Sequence, residues 1–109
     1  MEYKNFNYSN KSQIEELLLS EDLNVIISSI IGMINGVNDR VWVQNKLLEL
    51  SVNSNFWIAK NAITGIGDLA RLYGKLDKKK VDLVISGIKN DQLDPVIKEM
   101  YEDINIYLK

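Results

Sequence analysis

The chain has 109 residues, 46% of them hydrophobic and 26% charged, which is enough apolar material for one core with a solvated surface. Its net charge is −2, and its basic residues are eleven lysines against two arginines, so it lacks the footprint of a nucleic-acid binder. The absence of cysteine and histidine excludes disulfides, thiol or serine–histidine catalysis, and zinc sites of the usual kind.

Residues 1–11 form a polar, asparagine-rich arm carrying Tyr3, Phe6 and Tyr8. The arm is flexible unless its rings pack, and Phe6 and Tyr8 are expected to pack on the first repeat. Ser12 and Glu15 match a capping box, which predicts a short helix to about Leu19. Ser20 is the expected cap of a second helix from Glu21 to about Asn35, ended by Gly36. Asn38 or Asp39 opens a third helix through about Val52, with Val43, Leu47 and Leu50 on one stripe beside Trp42, Lys46 and Leu48.

Asn55 caps a fourth helix over 56–73, closed by Gly74. Its spacing buries Ile58, Ala59, Ala62, Ile63, Ile66, Leu69, Ala70 and Tyr73. Asp77 caps a fifth helix from Lys78 to about Lys89, with Val81, Val84, Ile85 and Ile88 apolar. Asp94-Pro95 opens the sixth, with proline at its first position and Val96, Ile97, Met100, Tyr101, Ile104 and Leu108 facing inward. The longest apolar cluster, Val25 to Ile34, is interrupted by Ser28, Ser29 and Gly32 and is too short to cross a bilayer. The polar Met1 to Ser12 lacks the apolar stretch of a signal peptide, so the expected compartment is the cytoplasm.

One segment recurs along these helices. Ala62-Ile63-Thr64-Gly65-Ile66 has a counterpart thirty-three residues earlier in Ser29-Ile30-Ile31-Gly32-Met33. Another lies thirty-eight residues later in Met100-Tyr101-Glu102-Asp103-Ile104, with Val96 and Ile97 falling where Ile58 and Ala59 fall. Helical repeats of this length predict an all-α fold, an α–α superhelix of about three antiparallel helix pairs in a single domain over 1–109. A globular helical bundle is the alternative. Ala59, Ala62, Gly65 and Gly67 are small enough to let a neighbouring helix approach the fourth closely.

The run Ala59-Lys60-Asn61-Ala62-Ile63-Thr64-Gly65-Ile66-Gly67 resembles the inner-helix pattern of HEAT repeats. Lysine replaces the commoner arginine, and Asn53-Ser54-Asn55 replaces the usual Asp-Pro turn, which Asp94-Pro95 does resemble. Over residues 41–108 the runs Val41-Trp42-Val43-Gln44, Trp57-Ile58-Ala59-Lys60-Asn61, Gly67-Asp68-Leu69-Ala70-Arg71 and Gly74-Lys75-Leu76-Asp77-Lys78 look like small bacterial HEAT-like proteins. Some of those are immunity proteins of contact-dependent growth inhibition systems. The resemblance implies a protein that binds and blocks a cognate toxin, often a nuclease carried as the C-terminal domain of a large secreted protein. It implies neither catalytic residues nor a cofactor or metal.

The outer stripe of the fourth helix is Trp57, Asn61, Thr64, Asp68 and Arg71. Its equivalent on the sixth is Glu99, Glu102 and Ile106 with Asp103 beside it, and on the second Asn24, Ser28, Ile31 and Asn35. In a HEAT-like stack these stripes line a groove that grades from neutral to acidic and receives the partner, with Trp57 as an aromatic anchor and the acids meeting a basic surface. The plainer readings are a solvated polar stripe and a Trp57 packed across a repeat boundary; Trp42 is read as structural. Lys78-Lys79-Lys80 reads as a solvated helix face. Gly65-Ile66-Gly67 lies inside a helix and is no phosphate loop. Glu99, Glu102 and Asp103 read as surface charge rather than a cation or acid–base site. A general HEAT-like adaptor or assembly subunit is the alternative function.

Overall fold

The computed structural model describes residues 8–109; Tyr3 and Phe6 of the arm lie outside them. In chain order the helices are α1 (Lys11–Leu18), α2 (Leu23–Gly36), α3 (Arg40–Ser51), α4 (Phe56–Tyr73), α5 (Lys78–Ile85) and α6 (Asp94–Tyr107). A 3-10 turn, Asp91–Leu93, precedes α6, and no strand occurs among the described residues. No helix among them is long and apolar enough to cross a membrane.

Short polar side chains start five of the six helices by accepting from otherwise orphaned backbone N–H groups. Asp39 Oδ1 accepts from Trp42 N (3.1 Å), Asn55 Oδ1 from Trp57 N and Ile58 N (2.9 and 3.2 Å), and Asp77 Oδ1 from Lys80 N (3.2 Å). α6 has no side-chain cap and starts instead with proline in its first turn. Two expected caps are displaced. Asn10, not Ser12, caps α1, its Oδ1 accepting from Gln13 N at 3.0 Å. Asp22, not Ser20, caps α2, because the Ser20 hydroxyl accepts from Asp22 N (3.0 Å) in a local turn that delays the helix to Leu23.

The helix ends follow the same accounting. Gly74 closes α4 in the left-handed conformation (φ 64°), its N–H donating to Ala70 O at 2.7 Å. α5 stops at Ile85, short of the expected Lys89. Gly87 N donates to Val84 O (3.2 Å) and Ser86 Oγ to Leu83 O (3.0 Å), which tightens the last turn at two weak helix formers. Gly36 is the last residue of α2 and does not adopt a left-handed backbone. Its requirement is space: a Cβ there would sit 2.5 Å from the Tyr8 carbonyl oxygen. One turn earlier, a Cβ on Gly32 would meet the Tyr8 ring at 2.5 Å. Tyr8 therefore packs as expected, seated on a two-glycine track that covers one flank of α2.

The helices form two layers. α2, α4 and α6 lie side by side with α4 in the middle, and α3 packs behind α4. α1 packs chiefly on α2 and touches α3 at the surface, where Lys46 of α3 reaches Glu15 of α1 at 3.0 Å; α5 rests on α3, where Lys80 reaches Asn45 at 2.7 Å. The ends of α4 and α6 meet where Lys109 N donates to Gly74 O at 3.2 Å. α5 rests chiefly on α3 and touches α6 through the Tyr101 hydroxyl, which donates to Asp82 Oδ1 at 2.7 Å.

α4 is the hub, and its buried residues show why. Ile63, Ile66 and Leu69 are fully buried, each stabilising by about 1.5–3 kcal/mol relative to exposure. Gly65 faces Ile34 of α2 and Leu47 of α3, and Gly67 faces Asp103 of α6, so neighbours close on α4 from both sides. The expected α4 core holds except at Tyr73, which is 38% exposed because it ends the helix, where Gly74 turns the chain away. On α6, Met100 and Ile104 are buried, while Val96, Ile97, Tyr101 and Leu108 are half-buried against the same core. Leu93, not expected in the core, is buried.

Candidate functional site

The side chains of the expected stripe divide into two groups along α4. Trp57, Asn61 and Thr64 occupy its N-terminal half. Trp57 is 51% exposed, which decides against a core position. Its ring stands edge-on to Phe56 (centroids 5.2 Å apart), and the Lys60 ammonium lies over it at 5.2 Å. Asn61 Nδ2 donates to the Trp57 carbonyl at 2.8 Å, and Thr64 is exposed. Trp42, by contrast, is half-buried between α1 and α3, with Lys11 and Lys46 over its ring at 5.8 and 5.5 Å, a structural placement.

Asp68 and Arg71 lie about 16 and 21 Å further along the helix from Trp57. Arg71 Nη2 donates to Asp68 Oδ1 at 2.7 Å. Burial pushes the Asp68 carboxyl above its ordinary range, Arg71 opposes this, and the negative charge of Asp103 adds to it. Asp103 is brought close because Gly67 leaves room: a Cβ at Gly67 would stand 2.9 Å from Asp103 Oδ2. Two carboxylates, from α4 and α6, thus stand as neighbours, and Arg71 pairs with that of Asp68.

The remaining expected residues are spread along α6. Glu99 and Glu102 are exposed, and Ile106 is 70% exposed near the C-terminal end. Of the α2 stripe, Ile31 and Asn35 meet α4. Together with Ile34, Asp68, Arg71 and Leu72 they line an open pocket of about 300 Å³. Leu72 was not among the expected site residues, although it continues the α4 stripe four positions after Asp68. Its apolar character hid it within a stripe read as polar. No α6 side chain lines this pocket, and neither does Trp57.

Hydrogen bonding separates the two layers. Side chains of α1, α3 and α5 are tied across helices, as in Lys11–Asp39 (2.6 Å), Lys46–Glu15 (3.0 Å) and the Asp77 N–H to Gln44 Oε1 (2.7 Å). Among the described residues, no side-chain hydrogen bond or ion pair joins α2, α4 and α6 to one another. Their polar side chains bond within their own helix or to the outer layer. No protein-family model, no curated protein and no solved structure matches the chain.

Proposed function

We propose that the protein is a HEAT-like helical-repeat binding module whose α2–α4–α6 face grips another protein. The observation that carries this reading is the contrast in hydrogen bonding: the inner layer presents Asp68, Arg71, Glu99, Glu102 and Asp103 without spending them on links between its helices. Exposed Trp57, Ile31, Leu72 and Ile106 on the same three helices supply apolar and aromatic contact area. The side-by-side order of α2, α4 and α6, with α1 packed on α2 and α3 on α4, supports the solenoid reading for the first two helix pairs.

The particular partner we propose is a bacterial toxin domain, which this protein neutralises as an immunity protein. The support is the sequence resemblance over residues 41–108. The acids of the face suit it: a nuclease that grips phosphates is basic, and an acidic surface speeds and orients its capture. Occlusion of the toxin's substrate face is the simplest mechanism.

The test is affinity capture of the tagged protein from its native extract, identification of a stoichiometric partner by mass spectrometry, and reconstitution with that partner. A toxin domain whose binding falls at least about a hundredfold in the triple variant Asp68→Lys, Glu99→Lys, Glu102→Lys supports the reading. Capture of a metabolic or assembly subunit instead replaces immunity with an adaptor role, and capture that ignores the triple variant removes this face as the site.

A further inference from the structure

The pocket between α2 and α4 has a chemistry of its own. Ile31, Ile34 and Leu72 give it aliphatic walls, and Asp68 with Arg71 gives it a charged end. Its volume of about 300 Å³ suits one long side chain rather than a helix or strand. Asp68 Oδ1 accepts from Arg71, while among the described residues no donor reaches Oδ2. Asp103 contributes a second negative charge across the Gly67 contact, and no cation among the described residues pairs with it. Asp103 does not line the pocket, but counted with Asp68 it leaves two carboxylates against one guanidinium in this neighbourhood. Arg71 is held only by an exposed pair within its own helix, an interaction of small net worth, so it yields readily to a competitor.

A group that fits has an aliphatic stem for the walls and a cationic, multiply donating head for the carboxylate. Guanidinium fits better than ammonium, because it is more weakly hydrated and its planar fork presents several donors to a carboxylate. Resting on the reading of this face as a protein-docking surface, we propose that the α2–α4 pocket receives a single arginine side chain of the partner, stem against Ile31 and Leu72, guanidinium on Asp68.

The test uses n-butylguanidinium as the probe and the full chain labelled with ¹⁵N. The expected result is saturable movement of the amide signals of Ile31, Asn35, Asp68, Arg71 and Leu72, with little movement elsewhere. Asp68→Asn, which keeps the side-chain shape, should weaken binding about tenfold. Arg71→Ala, which removes the internal competitor, should tighten it about threefold. Pentanamide, of similar length but uncharged, should leave these signals in place. Non-saturable shifts scattered over exposed acids, or equal affinity in Asp68→Asn, would overturn the proposal. The two readings fail separately. A captured partner that needs Glu99 and Glu102 while the probe does not saturate the pocket keeps the docking face and removes the arginine site. A saturable pocket on a protein whose partner ignores this face keeps the guanidinium site and removes the docking face.

Discussion

The outer and inner layers of this protein share one apolar core but use their polar side chains differently. The outer layer is stitched by polar contacts between residues distant in sequence: Lys11 to Asp39, Lys46 to Glu15, Lys80 to Asn45, and Gln44 to the start of α5. The inner layer is joined by close packing, α2 against α4 at Gly65 (where Leu47 of α3 also meets it) and α6 against α4 at Gly67, around fully buried Ile63, Ile66 and Leu69. A polar side chain used as an interhelical tie is saturated and has little left for a partner. One excluded from such ties stays available, provided packing alone holds the helices together. The difference teaches that a binding face is recognised by which polar groups the fold leaves unused, and less by how many there are.

The sharpest way to break the comparison is to disturb the packing of the inner layer. Gly65→Leu inserts a side chain where even a Cβ would stand 3.0 Å from Ile34 and 3.1 Å from Leu47. The expected loss is about 1–3 kcal/mol in urea unfolding. An unchanged midpoint would show that α2 and α3 sit loosely on α4.

Next comes the polar tie that is buried. Gln44 is 2% exposed, and its Oε1 accepts from Asp77 N at 2.7 Å. Gln44→Leu keeps the bulk and leaves that N–H without its partner, at a cost of about 1–2 kcal/mol. Because Asp77 caps α5, the loss should appear as faster amide exchange at Val81 and Asp82, with α4 protected as before. Uniformly faster exchange would mean that the outer-layer tie supports the whole core.

The smallest effect tests the bond that links the layers. Tyr101 donates to Asp82, and burial followed by that bond pushes its hydroxyl up from 10.0 to about 12. The folded value exceeds the unfolded one, so this contribution is complete below pH 10 and is lost as pH rises toward about 12. Asp82 is shifted the other way, lowered first by Tyr101 and then by Lys78, so its contribution is present above 3.8 and is lost as pH falls through its lower folded value. Tyr101→Phe should lose roughly 0.5–1 kcal/mol at neutral pH and show a flatter stability profile at the alkaline end. A profile identical to that of the parent chain would show the bond to be energetically idle.

Much of the local structure was legible in the residues. The bounds of α4 and the caps at Asp39, Asn55 and Asp77 follow from short polar residues placed before apolar periodicity, and Gly74 from the need for a left-handed turn. Ser12 and Ser20 misled because Asn10 and Asp22 stand close by and offer equivalent oxygens; which one caps depends on where the first buried residue must fall. Of the candidate face, Trp57, Asp68 and Arg71 were readable as one stripe. Leu72 and the pocket were not, since a polar-stripe reading discards a leucine and knows nothing of the helix opposite.

Legible along the chain alone are the helical content, the starts of α3 to α6, and the polar character of the α4 outer stripe. All of these depend on residues within a turn or two of each other, where spacing of three or four positions translates directly into a shared face. Helix packing alone spends Gln44 on the start of α5, sets Asp103 against Gly67, and makes Ile31 and Leu72 two walls of one pocket. These relations join residues more than thirty positions apart. They are fixed by how closely neighbouring helices approach, as Gly67 lets α6 approach α4, a distance that periodicity along one helix does not encode.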